Sequence, residues 1–229
     1  YEVESGRLHE WTWHDPLARS LHLSKSPRQG SSHFSKGRAN LRMEYTDSAQ
    51  GLSKRLIIHT LALSLDAKLV ENDFSPMSLC TRTGINGFTY ANKVAGVAVT
   101  GDLDFNGRHV SLAEIGACAH HDFSAGYMRR ETFWNWACSS ATIGHHKLGF
   151  NLSCGVNETS FSENCLWLDG RLSPLGGIRF NYQRDNLLKP WFIEDAAGKV
   201  ELSFTPTGSH RERLNLGLFA SNFNQLFGT

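Results

Sequence analysis

Val97-Ala-Val-Thr-Gly-Asp-Leu-Asp-Phe105 runs into Asn106-Gly107 and then into Arg108-His-Val-Ser-Leu112. Val97, Val99, Gly101, Leu103 and Phe105 recur at every second position, so they share one face of an extended segment. Asn-Gly suits a two-residue hairpin turn because both residues tolerate positive φ. The stretch therefore predicts two antiparallel strands and a tight turn. The same period recurs on both sides of it. Leu41, Met43 and Tyr45 alternate with Arg42 and Glu44, and Leu148, Phe150, Leu152 and Cys154 repeat the pattern. So do Ile178/Phe180/Tyr182, Val200/Leu202/Phe204 and Leu214/Leu216/Leu218. Each set predicts a half-buried strand. Asp169-Gly170 and Ala197-Gly198 mark further turns. The run Leu56–Leu69 fits helix or strand, and its β-branched pair Ile57-Ile58 favours strand. No apolar 3.6-residue period holds for three turns with caps at both ends.

Ten or more strands on short connections, without crossover helices, make an antiparallel sandwich or barrel, and closure removes exposed edges. The expectation is an all-β chain of two barrels in tandem, the first incomplete. The polar stretch Glu71–Asn86, with Pro76 and Gly84, interrupts the period and is the best boundary. It divides the chain into a first portion, 1–83, and a second barrel, 84–229. The opening at Tyr1 and the ending at Phe227-Gly228-Thr229 lead to the expectation that the natural chain continues at both ends.

Composition narrows the partners. Among 229 residues, 23 Lys and Arg stand against 22 Asp and Glu, which supplies no field for gripping a phosphate backbone and argues against nucleic acid. The 40% hydrophobic and 11% aromatic content excludes a disordered chain. No apolar run approaches the roughly 20 residues of a membrane-spanning helix. Five cysteines without a Cys-x-x-Cys pair read as buried thiols in a reducing, cytoplasmic compartment.

Chemistry concentrates in Ala119–Cys138, Ala-His-His-Asp-Phe-Ser-Ala-Gly-Tyr-Met-Arg-Arg-Glu-Thr-Phe-Trp-Asn-Trp-Ala-Cys. On a strand Trp134 and Trp136 face one way, and Phe133, Asn135 and Ala137 the other. Two indoles on one face build a broad apolar wall with N–H groups to offer a ligand, or else simply fill a core. Asp122 before a polar turn can ionise beside Arg129 or Arg130, act as a general acid, or cap the turn. His120-His121 and His145-His146 each offer one ligand to a given face, so no metal site is predicted. A second polar knot, Asn157–Asn164, puts Glu163 or Asn164 inward at the start of the strand Cys165–Asp169. With Asn151 these make candidate polar anchors in an apolar cavity, or else turn caps.

At these residues a resemblance emerges. Asp122-Phe-Ser-Ala-Gly-Tyr127, Phe133-Trp-Asn-Trp-Ala137, Gly149-Phe-Asn-Leu152 and Glu163-Asn-Cys-Leu-Trp-Leu-Asp-Gly170 together resemble the domain-of-unknown-function 2804 family. Phe88-Thr-Tyr-Ala-Asn-Lys93, Phe204-Thr-Pro206 and Phe223-Asn-Gln-Leu-Phe-Gly228 fit the same pattern. The resemblance implies a lipocalin-like (calycin) plan, similar to the double barrels of carotenoid hydratases and tocopherol cyclases. Those relatives work on large apolar molecules by acid–base chemistry without a cofactor.

The leading reading is a lipocalin-like protein that holds an apolar or amphipathic small molecule, with a cofactor-free hydratase, cyclase or isomerase as its catalytic version. There Asp122 or His121 moves a proton, Tyr127 and Arg130 orient or stabilise charge, and Trp134 and Trp136 line the cavity. Asn135, Asn151, Glu163 and Asn164 complete the binding set. A carbohydrate-binding β-sandwich with exposed tryptophans, or a purely structural domain, are the alternatives.

Overall fold

The computed structural model of the chain describes all residues except 3, 4, 14, 16, 128, 130, 157–160, 218 and 219. Leu218 and Arg130 of the expectations above, and the first half of the polar knot, lie outside the described residues. The chain divides into two units, Trp13–Leu175 and a second of Tyr1–Thr12 with Gly176–Thr229. Among the described residues there is no α-helix, and every strand pairing is antiparallel, as the alternation requires. No helix is long and apolar enough to cross a membrane.

The larger unit contains a nine-stranded sheet of β1 (Leu21–His22), β2 (Gly30–Lys36), β3 (Ala39–Ser48), β4 (Gly51–His59), β5 (Leu63–Val70), β6 (Met77–Arg82), β7 (Phe88–Phe105), β8 (Arg108–Ser111) and β9 (Cys118–Gly126). The ambiguous run Leu56–Leu69 is indeed strand, the end of β4 and most of β5. Eighteen residues long, β7 is the spine. Thr89 lies between Thr81 of β6 and Gly126 of β9, and Asp102 lies between Asp66 of β5 and Ser111 of β8. The turn at Asn106 (φ 50°) and Gly107 (φ 77°) adopts the positive φ values its sequence calls for. β6 and β7 form one hairpin, and residues 83 and 84 lie in its connecting loop.

A second sheet of β10 (Asn135–Ile143), β11 (His146–Cys154), β12 (Cys165–Leu168) and β13 (Arg171–Pro174) packs on β7. They meet at a bulge between Ala95 and Val97, where Gly96 (φ 80°) donates its N–H to Ser140 Oγ at 2.8 Å. A Cβ on Gly149 would stand 2.3 Å from the Ala95 carbonyl carbon. Only a glycine admits the second backbone there. This contact makes β7 a strand of two characters. Its second half alternates buried or half-buried with exposed positions, whereas Ala91–Val97 are buried on both faces. Two apolar clusters result. Val94, Val97 and Val99 pack with Ala67, Leu69 and Leu112, while Ala91 and Ala95 pack with Met77, Cys165 and Trp167.

The nine-stranded sheet is curled. Lys54 on β4 and His121 on β9 have β5 and β7 between them, about 14 Å of strand spacing on a flat sheet. Yet Lys54 Nζ lies 3.1 Å from His121 Nδ1. Only a concave face brings them together.

The smaller unit holds a three-stranded sheet of β14 (Ile178–Asn181), β15 (Trp191–Asp195) and β16 (Glu201–Phe204), and a hairpin of β17 (Pro206–Asn215) and β18 (Ala220–Gly228). Two expectations need correcting. Leu214 and Leu216 are exposed rather than half-buried, because among the described residues β17 and β18 pair only with each other and Leu216 lies past the end of β17. Of the five thiols only Cys165 is fully buried; Cys80 is exposed because it occupies an outward position of β6, next to buried Thr81.

Replacing Gly149 with Ala forces the two sheets apart. Urea unfolding of Gly149→Ala is expected to show a loss of about 1–3 kcal/mol, the usual scale for overpacking. An unchanged midpoint would show that the contact is looser than described.

Candidate functional site

Lys93 stands at the centre of the site, on the doubly buried part of β7. An ammonium there costs several kcal/mol unless it is paired and hydrogen-bonded. Its side chain is 5% exposed, and Nζ donates to Glu163 Oε1 at 3.0 Å and lies 2.9 Å from Asp122 Oδ2. Asp122 is directly opposite Lys93 in the β7–β9 ladder, so strand register alone brings them together. Glu163, 2% exposed at its side chain, arrives on the segment leading into β12. Burial opposes the lysine's charge, but the charges of Glu163 and Asp122 and their hydrogen bonds outweigh it and hold its pKa above the ordinary value.

The Trp136 ring lies 5.6 Å from Lys93 Nζ, within cation–π range. Its Nε1 donates to Asn151 Oδ1 at 2.8 Å, and Asn151 Nδ2 donates to the Glu163 carbonyl at 2.9 Å. Asn151 is therefore a fully buried strut between the indole and the glutamate backbone. Asn164 is buried too, and its Oδ1 accepts the Ser153 N–H at 2.6 Å. Of the pair expected to send one residue inward, Glu163 faces the cavity and Asn164 ties β11 to the chain entering β12.

Above this floor is a cavity of about 230 Å³. Lys93, Asp122, Glu163, Ser153 and Thr89 line it with Trp134 and Trp136, and Arg82 and Arg129 also border it. Both indoles thus face one concavity, and they remain 41% and 42% exposed. Asn135 starts β10 opposite Cys154 and does not line the cavity. Neither does Tyr127, which is 67% exposed with its ring edge-on to Phe88. Lys93, Arg82 and Arg129 were missed as site residues. The available signal was Lys93 itself, a charge inside Ala91–Val97, where neither strand face reads as wet.

Adjacent strand residues point to opposite faces, and β9 separates its histidines accordingly. His120 shares the Lys93 face: its ring stands edge-on to Trp136 at 5.5 Å, and both ring nitrogens are buried without a hydrogen-bond partner among the described residues. Burial is the main cause that pushes its pKa down from 6.5 to about 4. His121 points the other way, against Tyr45 and Lys54. Burial, with Lys54 adding to it, lowers His121 to about 3. Lys54 is wholly buried and paired with Glu71 at 2.5 Å. His121 and Asp122 therefore belong to two different charged clusters. Among the described residues no group of three His, Cys, Asp or Glu side chains is placed to hold a metal ion.

Fold and site together define an all-β protein, part of whose sheet curls like half a barrel, with a buried, ion-paired lysine under an indole-lined crevice. The chain belongs to the family described as Domain of unknown function (DUF2804), whose model matches residues 1–229. No curated protein and no solved structure matches it.

Glu163→Gln leaves a buried ammonium with one carboxylate, and an expected loss of about 3 kcal/mol follows. Asp122→Asn, at a side chain 34% exposed, is expected to cost only about 1 kcal/mol. Urea unfolding of both variants checks the order; equal losses would place Asp122 as deep as Glu163.

Histidines held neutral in the fold but protonated when unfolded make stability depend on pH. The unfolded chain binds more protons between the ordinary 6.5 and the folded value of about 4, so stability is full above 6.5 and falls with pH through that window. His120→Leu is expected to flatten this slope measurably. A profile identical to that of the wild type would remove His120 as a contributor.

Proposed function

We propose that the crevice beside Lys93 binds a small amphipathic molecule. One observation carries this reading: two indoles and a charged, hydrogen-bonding floor converge on one cavity. Binding sites typically combine an apolar wall with a few placed polar groups. At about 230 Å³ the cavity lies below the roughly 300–1,000 Å³ of drug-sized pockets, which suits a small molecule or one end of a longer one. The lipocalin-like two-barrel plan and a cytoplasmic setting belong to this reading, and five free thiols are in keeping with a reducing compartment.

In a catalytic version the proton-transfer group is Asp122, the more open of the two carboxylates. Its Oδ2 lies 2.9 Å from Lys93 Nζ. Lys93 then stabilises negative charge, and Trp136 offers its π face to a positive centre. His121, on the opposite face, acts only through the fold. A second reading, a carbohydrate-binding surface, is favoured by the half-open state of Trp134 and Trp136, since sugar rings stack on accessible indoles.

Isothermal titration of the protein with a panel of small aromatic and aliphatic amphiphiles, and in parallel with monosaccharides, separates these. Amphiphile binding that weakens severalfold to about tenfold in Trp136→Ala is the expected result. Binding of sugars alone would transfer the assignment to the second reading, and no response to any amphiphile would refute the first.

A further inference from the structure

Resting on the binding reading above, we infer that the ligand of the Lys93 crevice carries an anionic head, a carboxylate or a phosphate, held at the mouth by Arg82 and Arg129 while its apolar body lies against Trp134 and Trp136.

The charges of the crevice are graded by depth. Glu163 and Lys93 are almost fully buried, the Asp122 side chain is one-third exposed, and Arg82 and Arg129 are exposed. At the floor Lys93 is already engaged by Asp122 and Glu163, so its ammonium is not left open for an anion. The arginines at the mouth stand differently. The ion pairs that involve arginine among the described residues are those of Arg28, Arg42, Arg55 and Arg179. Arg82 and Arg129 line the cavity and, among the described residues, form no ion pair.

They also come from unrelated places in the chain. Arg82 ends β6, whereas Arg129 lies in the connection between β9 and β10, and both border the same concavity as the indoles. Guanidinium groups match carboxylate and phosphate oxygens through paired N–H donors. The indoles line the same cavity and stay accessible, so a flat or linear apolar body can lie against them. This polarity fixes the orientation: the anionic head points outwards. The inner end of the ligand meets the acceptor oxygens of Asp122 and Glu163, where a hydroxyl or amine is tolerated and a second anion is not.

The test uses the full chain at low ionic strength and two matched probe pairs, 4-phenylbutyrate with 4-phenylbutanol, and phenyl phosphate with phenol. Titration calorimetry compares wild type with the double variant Arg82→Gln/Arg129→Gln, whose exposed positions leave the melting temperature as an independent check of folding. At least one anion is expected to bind about tenfold or more tightly than its neutral partner, as charge-assisted hydrogen bonds allow. That advantage disappears in the double variant and shrinks with added salt. Whichever pair shows it identifies the head group. Neutral probes that bind as well as the anions, or an anion preference that survives the double variant, overturn the inference while leaving the binding reading in place. No binding of any of the four overturns both.

Discussion

A single buried ammonium ties together three parts of the chain. Lys93 sits where β7 is covered on both faces, so its charge is almost fully buried and must be neutralised in place. Asp122 reaches it through the β7–β9 register, and Glu163 reaches it from the approach to β12. The second sheet can come that close because Gly96 bulges and Gly149 has no side chain. Asn151 then continues the chain of constraints, from the Glu163 carbonyl to the Trp136 indole. The indole's position is thus a consequence of charge burial two residues away in the network.

The two faces of β9 divide the buried charge. On one side Lys93 is shared by two acids beside His120; on the other Lys54 is paired with Glu71 beside His121. The first cluster opens onto the crevice through Asp122, whereas Lys54 and Glu71 are closed off within the concave face. Both histidines are held neutral, mainly by burial. This difference in access, rather than residue type, separates a candidate site from an internal support.

Much of the fold was legible locally. Alternation in Val97–Phe105, the Asn106-Gly107 and Asp169-Gly170 turns, and the β-branched pair at Ile57-Ile58 all lie within a few residues of the structure they specify. Alternation failed where cover came from elsewhere. Residues 91–97 show no period because a second sheet lies over them, and Leu214 shows a period without being covered. In the site, the paired tryptophans and Glu163 could be picked out from residue type and spacing. Lys93, Arg82 and Arg129 could not be assigned to them, since each is separated from the indoles by dozens of residues or by an unpredictable loop path.

Sequence alone determined the strand class, the antiparallel hairpins and which neighbours share a strand face, because those follow from backbone sterics and a period of two. Tertiary structure alone decided which faces meet and therefore which charges are buried. That choice depends on long-range packing, and a carboxylate finds its lysine only after two sheets have closed on each other.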